Sequence, residues 1–271
     1  MIRGSVSVSA RTRAGRFFQR QLIESAMSEV REVRHGGSTL RFAAPNALCA
    51  WRADTFSTKE PETLEWIDAI PEGATMWDVG ANIGLYSVYA AVRRGCRVIA
   101  FEPSVFNLEL LARNVHLNGV SDKITLVPVA LSDTRQAAKM RLTTTEWGGA
   151  LSTFGESFGF DGLAIKQVFE YQMLGVTMTD AVERLGLPAP QYLKMDVDGL
   201  EHFILKGGAS VLAVIREALV EVNDDFKEQA AQCHALLTDA GLVLREKRHS
   251  ALIAASKGGF DQSFNQIWVR P

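Results

Sequence analysis

Two groups of residues in this sequence have the types and spacing for chemistry. The first is Asp78-Val79-Gly80-Ala81-Asn82-Ile83-Gly84. Glycines after an apolar run let the backbone turn sharply and approach a ligand closely, and amides at a helix start can donate to it. The spacing is not G-x-G-x-x-G, because Asn82 stands where the second glycine would be. A carboxylate at Asp78 would repel a pyrophosphate and attract a cation. S-adenosylmethionine carries an ammonium and a sulfonium, and its carboxylate can take the helix amides. The loop therefore favours that cofactor over NAD. Glu102 and Pro103 follow the next apolar run, where an acid can accept both ribose hydroxyls. Ala130 and Leu131 end a third run, beside the expected adenine.

The second group lies later. Lys194, Asp196 and Asp198 alternate, so in an extended strand they share a face. Glu201 and His202 follow, and Glu221, Asn223 and Asp224 end another apolar run. If the two strands are neighbours, Asp196 and Glu221 lie side by side over one pocket. A hydroxyl acceptor is a poor nucleophile while protonated, so a base or a metal is expected. Three readings stay open. Asp196 or Glu221 is the base, held ionised by Lys194; or the carboxylates with Asn223 hold Mg²⁺, an all-oxygen set, although no metal site is the leading expectation; or Lys194–Asp196 is a structural pair and Glu201 a helix cap. Among the histidines only His202 suits a base.

The elements that position these groups alternate. Strands are expected at 75–79, 97–102, 124–130, 192–196 and 218–222, and helices at 83–94, 105–118, 179–185, within 200–215, and at 227–240. Segments 242–247 and 266–270 close the sheet as a hairpin. This order implies an α/β, doubly wound, mostly parallel sheet with a C-terminal antiparallel strand pair. Residues 136–176 break the rhythm and concentrate Trp147, Phe154, Phe158, Phe160, Phe169 and Tyr171, which suits either sugar stacking or an edge hairpin. Upstream, 1–37 read as a helical extension, with an amphipathic helix at about 16–33, and 38–271 as the main domain. Short strands are expected at 39–42 and 48–51, and a helix opens at Pro61.

The chain has 271 residues, 47% hydrophobic and 22% charged, and a net charge of −2. That is ordinary for a globular protein and gives no electrostatic reason for a nucleic-acid partner. Cys49, Cys96 and Cys233 are too few and too scattered for a disulfide framework. No run approaches the roughly 20 apolar residues of a membrane span, and no export signal is read. A cytoplasmic location is expected, and the amphipathic N-terminal helix could serve a homodimer.

At Asp-Val-Gly-Ala-Asn-Ile-Gly, Phe-Glu-Pro (101–103), Asn-Val-His-Leu-Asn-Gly (114–119) and Leu-Lys-Met-Asp-Val-Asp-Gly-Leu-Glu (193–201) the sequence resembles the FkbM family of S-adenosylmethionine-dependent methyltransferases. The resemblance spans roughly 55–222. Lys59-Glu60-Pro61-Glu62-Thr63 is similar to the segment preceding the cofactor loop in that family, and Asp198 departs from the Glu or Gln frequent there. It implies a class I, Rossmann-like fold and O-methylation of a sugar or small-molecule hydroxyl. A secondary-metabolite hydroxyl, an NAD-dependent oxidoreductase and a non-catalytic binding module are the rival readings. A nucleic-acid methyltransferase is disfavoured by the lack of an Asn-Pro-Pro-Tyr-type motif and of a basic stripe beyond the N-terminal arginines.

Overall fold

The computed structural model describes residues 12–256 and 259–271, so residues 1–11 of the expected extension lie outside the described residues. Its centre is a seven-stranded sheet of order β12-β13-β11-β10-β3-β4-β5. The strands are β3 (Thr75–Val79), β4 (Arg97–Phe101), β5 (Ile124–Val127), β10 (Tyr192–Met195), β11 (Glu217–Asn223), β12 (Val243–Arg248) and β13 (Ser263–Val269). Strands β5, β4, β3, β10 and β11 pair parallel, and β13 pairs antiparallel with both β11 and β12, so that six of the seven strands share one direction. The chain winds outward from β3 to β5, then returns to β10 on the other side of β3. That reversal is where ligands bind in open α/β sheets.

Alternation along the strands sorts side chains to two helical layers. Met76, Val98 and Leu219 pack with α4 (Pro61–Ala69), α5 (Leu85–Arg94) and α6 (Val105–Leu117). Trp77, Val79, Leu193 and Val220 pack on the other face with α7 (Met178–Glu183), α8 (Glu201–Lys206), α9 (Ala209–Leu212) and α10 (Lys227–Asp239). The three cysteines are buried and unbridged.

The expected third strand stops at Val127. Ala130–Leu131 is β6, part of a second sheet with β7 (Gln136–Leu142), β8 (Thr153–Phe154) and β9 (Phe169–Val176). The aromatic segment is therefore largely the connection and return strand of a β7–β9 hairpin. Of the two readings of this segment, the hairpin is the one that describes its backbone.

The N-terminal region corrects two expectations. The first helix, α1, spans Arg13–Met27 and not 16–33, because Val30–His35 forms β1 and pairs with β2 (Ser38–Ala43). Gly36 and Gly37, at φ 54° and 78°, make the two-residue turn that fits a twisted hairpin. The expected boundary at residue 37 falls in that turn. Residues 48–51 are helical within α2 (Ala47–Asp54), whose start Asn46 caps by accepting from the Cys49 amide. A short helix, α3 (Phe56–Lys59), leads into α4. None of the residues of α1 is buried. Among the described residues no helix is long and apolar enough to cross a membrane.

The Asn-Val-His-Leu-Asn-Gly motif locks this hairpin to the sheet. Asn114 accepts from the Ala43 amide at 2.7 Å and donates to the Ile83 carbonyl at 2.7 Å. Asn118 accepts from the Arg41 amide and donates to the Arg41 carbonyl. Two side chains one helical turn apart thus act as a substitute strand along β2. Replacing the fully buried Asn114 by Ala orphans a buried amide and a buried carbonyl. Asn114→Ala should lower the urea-unfolding free energy by about 2–4 kcal/mol, and Asn118→Ala, half-exposed, by less.

Candidate active site

A cavity of about 440 Å³ opens at the carboxyl ends of β3, β4, β10 and β11. It is within the roughly 300–1,000 Å³ of small-molecule sites. Of the expected residues, Gly80, Asn82, Glu102, Pro103, Ala130, Leu131, Lys194, Asp196 and Glu221 line it. Asp78, Gly84 and His202 do not.

The loop after β3 is tight. The Gly80 backbone sits at φ 83°, and a Cβ there would lie 1.9 Å from the Asp196 carbonyl oxygen. Only glycine lets the loop pass so close to the end of β10. Asn82 is held at φ 51°. Its amide donates to Glu102 Oε2 at 2.7 Å, and its side-chain Nδ2 donates to the Gly149 carbonyl at 2.8 Å. Gly84 packs against Leu111 beneath the loop.

Asp78 is a correction to the charge argument. Its carboxylate points under the cavity, accepting from Ser87 Oγ at 2.6 Å and lying 3.8 Å from Lys194 Nζ. Asp78 and Lys194 are directly opposed in the β3–β10 register, so both face α5. The acid acts on the cavity through Lys194. That ammonium also lies 3.4 Å from Asp196 Oδ2 and 5.0 Å from the centre of the Tyr86 ring. Burial alone would lower the Lys194 pKa. The surrounding carboxylates of Asp196, Asp78, Glu60 and Glu221 outweigh it and hold the ammonium charged.

Asp196 and Glu221 stand at the ends of adjacent parallel strands and share the cavity. Burial, then the nearby Asp196 and Glu60, push the Glu221 carboxyl well above its usual range. Glu102 accepts from the Asn82 and Ser104 amides, one on each oxygen. Burial outweighs those bonds and moves its pKa up to about 7. Glu201 holds the turn after β10, accepting from the Val197 and Gly199 amides and from Gln229 Nε2. Glu201 is the first residue of α8 and ties down the loop before the helix, so it is not the cap of the helix's own amides that was expected.

His202 is buried away from the cavity against Phe203 and Phe226. Burial lowers its pKa, so it is a neutral core side chain. Asn223 accepts from the Asp225 amide with its side-chain oxygen, and Asp224 pairs with Lys247. Neither joins Asp196 and Glu221 in the cavity, which removes Asn223 from the expected Mg²⁺ set. Among the described residues no group of three or more His, Cys, Asp or Glu could hold a metal ion.

Three charged residues that were not singled out as site residues also line the cavity, Arg52, Lys59 and Glu60, and so does Asp198 of the second group. Lys59 and Glu60 form an ion pair, which together with Lys194 holds the buried Glu60 down to about 2 against the opposing effect of burial. The signal for both was present in the upstream motif. Asp198, at φ 58°, accepts from the Leu151 amide at 2.6 Å, and Leu151 is itself at φ 62°. Among the described residues Asn82, Leu151 and Asp198 are the non-glycine residues at positive φ, and all three line this cavity. Backbone strain concentrated at one site marks function.

This sheet order and this cavity at its switch point define a Rossmann-like fold of the class I methyltransferase type. A solved structure of methyltransferase FkbM from Methylobacillus flagellatus aligns with 82% of this chain at a TM-score of 0.51 and 14% identity. This chain spans 52% of that longer one. The methyltransferase FkbM domain profile matches residues 78–244, more than half of the chain. The chain belongs to the FkbM methyltransferase family. It is 25% identical over 191 residues to the hexuronic acid methyltransferase AglP of Haloferax volcanii, covering 69% of this chain and 72% of the relative. It is 26% identical over 204 residues to methyltransferase sdnD of Sordaria araneosa, covering 66% and 77%.

The close approach at Gly80 can be separated from its backbone angle. Gly73 also has a positive φ, 73°, but nothing lies within 4 Å of its virtual Cβ. Gly73→Ala should cost about 1 kcal/mol in urea unfolding, and Gly80→Ala about 3 kcal/mol or more, because it must also displace Asp196. Equal losses would show that the loop and β10 can part freely.

Proposed function

We propose that this chain is an S-adenosylmethionine-dependent O-methyltransferase acting on a hydroxyl of a small molecule, with a sugar or glycan as the preferred acceptor class. The observation that carries this reading is the Asp196–Glu221 pair, seated in the same cavity as the Gly80 loop and Glu102. The name of the Haloferax relative supports the sugar class.

The residues present fit this cofactor. Glycine at position 80 lets the loop close against the Asp196 carbonyl, so that Gly80, Ala81 and Asn82 form one wall of the cavity. Each Glu102 oxygen accepts one amide and keeps acceptor capacity for a ribose hydroxyl. Leu131 and Phe101 supply apolar wall beside Pro103 and Ala130. When bound, the cofactor supplies an activated methyl group with a good leaving group, so the protein's task is positioning and proton handling.

Lys194 Nζ lies 3.4 Å from Asp196 Oδ2 and holds that carboxyl in place in the cavity. A hydroxyl seated between the two carboxyls would give its proton to an Asp196 carboxylate oxygen as its own oxygen forms the new bond. Glu221, whose carboxyl is pushed well above its usual range by burial and by the nearby Asp196 and Glu60, would be the partner that donates a hydrogen bond to the acceptor when it carries a proton. The pair thus divides the work of acid and base between two carboxyls whose surroundings differ.

Two measurements test this. With S-adenosylmethionine and a panel of neutral sugars, uronic acids and polyketide alcohols, Asp196→Asn should lower kcat by at least about 100-fold. Its affinity for S-adenosylhomocysteine, read by calorimetry, should stay within a few-fold. Unchanged turnover would remove Asp196 from the chemistry, and tight binding of NAD alone would overturn the cofactor reading. Glu102 gives the second. A raised pKa means that its carboxylate is lost as pH falls through about 7, so S-adenosylhomocysteine affinity should weaken between pH 8 and pH 6. Glu102→Gln should bind more weakly throughout and show a flatter pH dependence.

A further inference from the structure

The cofactor proposed above ends in an amino acid, which brings both an ammonium and a carboxylate into the cavity. The ammonium has several carboxylates within the cavity to meet. The carboxylate was expected to take the amides of the Gly80 loop. The structure leaves those amides occupied. Gly80 and Ala81 both donate to the Phe101 carbonyl, Asn82 to Glu102, Ile83 to the Asn82 side chain, and Gly84 to the Ala81 carbonyl. A carboxylate placed there would have to displace internal bonds, so a cation elsewhere must meet it.

Three cations line the cavity: Lys194, Lys59 and Arg52. Lys194 is enclosed by Asp78 and Asp196, and Lys59 is paired with Glu60. Arg52 differs. No salt bridge within 4 Å joins it to a carboxylate among the described residues, and its Nε donates to the Gly148 carbonyl at 2.8 Å. That one bond fixes the guanidinium and leaves its two terminal NH₂ groups to pair with a ligand. The next carbonyl along, Gly149, accepts from Asn82 Nδ2. Arg52 and the cofactor loop are therefore anchored to consecutive peptide units, which sets the guanidinium beside the loop. A planar, always-charged fork suits a carboxylate better than an ammonium does.

We propose that Arg52 is the residue that binds the carboxylate of the methyl donor's amino-acid end. The proposal rests on the S-adenosylmethionine reading. It also gives the segment 147–151 a role, since that segment ties Arg52 to the Gly80 loop.

The test uses two ligands that differ by this group. S-adenosylhomocysteine has the amino-acid end, whereas 5′-methylthioadenosine lacks it. By calorimetry on the full chain, Arg52→Gln should weaken S-adenosylhomocysteine about 10- to 100-fold and leave 5′-methylthioadenosine within about twofold. Arg52→Lys should fall between. Retained 5′-methylthioadenosine binding also reports that the variant is folded, and Glu102→Gln should weaken both ligands together. If wild type binds neither ligand, the cofactor reading itself fails. If wild type binds both and Arg52→Gln keeps their ratio, this inference fails, and the first-turn amides of α5 hold the carboxylate. Unchanged S-adenosylhomocysteine affinity with a raised KM confined to acidic acceptors would equally overturn it, reassigning Arg52 to the acceptor.

Discussion

A single buried ammonium organises the centre of this molecule. Lys194 is 1% exposed and sits in β10, at the point where the strand order turns back. Such a charge persists only if it is paired. Asp78 meets it from the neighbouring strand, Asp196 from two residues along its own, and the ring of Tyr86 covers it from α5. These contacts fix the ends of β3 and β10 relative to each other and to the helix that follows the Gly80 loop. Asp196 is thereby given its position in the cavity by Lys194 and Tyr86, which line the same cavity, and by Asp78, which lies beneath it.

The same arrangement explains why strain is affordable at this site. Asn82, Leu151 and Asp198 are each held in the left-handed region, where a non-glycine residue costs about 1–3 kcal/mol. Each is fixed by a bond across the cavity or within its rim: Asn82 to Glu102 and Gly149, and Asp198 to the Leu151 amide. The segment 147–151 is the shared partner, and it is anchored further back by Asn107 and by Asn46. A loop with no regular structure is thus rigid because its backbone groups are tied to four different elements.

Much of this was legible in the sequence because it rests on local rules. The strand–helix alternation from residue 75 onward, Glu102 at the end of β4, and the juxtaposition of Asp196 and Glu221 all follow from periodicity and strand-end logic. Three things did not follow. The role of Asp78 was misplaced because alternation tells which face a side chain takes, not whether a neighbouring strand places a lysine opposite it. Strand β2 was expected at 39–42, but β1 was overlooked because the apolar spacing of Val30 and Val33 continues the period of α1, while the decisive signal was the Gly36-Gly37 pair. Arg52 and Glu60 lie some distance upstream of the loop, and only the packing of α2 and α3 onto the sheet brings them to the cavity.

That last point bears on how the family's chemistry is divided along the chain. The family profile begins at Asp78 and ends at Leu244, and within it lie the Gly80 loop, Glu102, Lys194, Asp196 and Glu221. The rest of the cavity wall comes from outside it: Arg52, Lys59 and Glu60 upstream, and Leu252, Ile253 and Phe260 downstream. The upstream and downstream pieces are joined to one another. Ser250 Oγ donates to the Lys59 carbonyl, and Asn265 donates to the buried Glu62. These two flanking pieces therefore form one connected part of the cavity wall, laid against a core in which β3, β10 and their buried charge are fixed separately. On the reading proposed above, the core carries the loop and the carboxyl pair, and the upstream flank adds Arg52 on the methyl donor's side of the cavity.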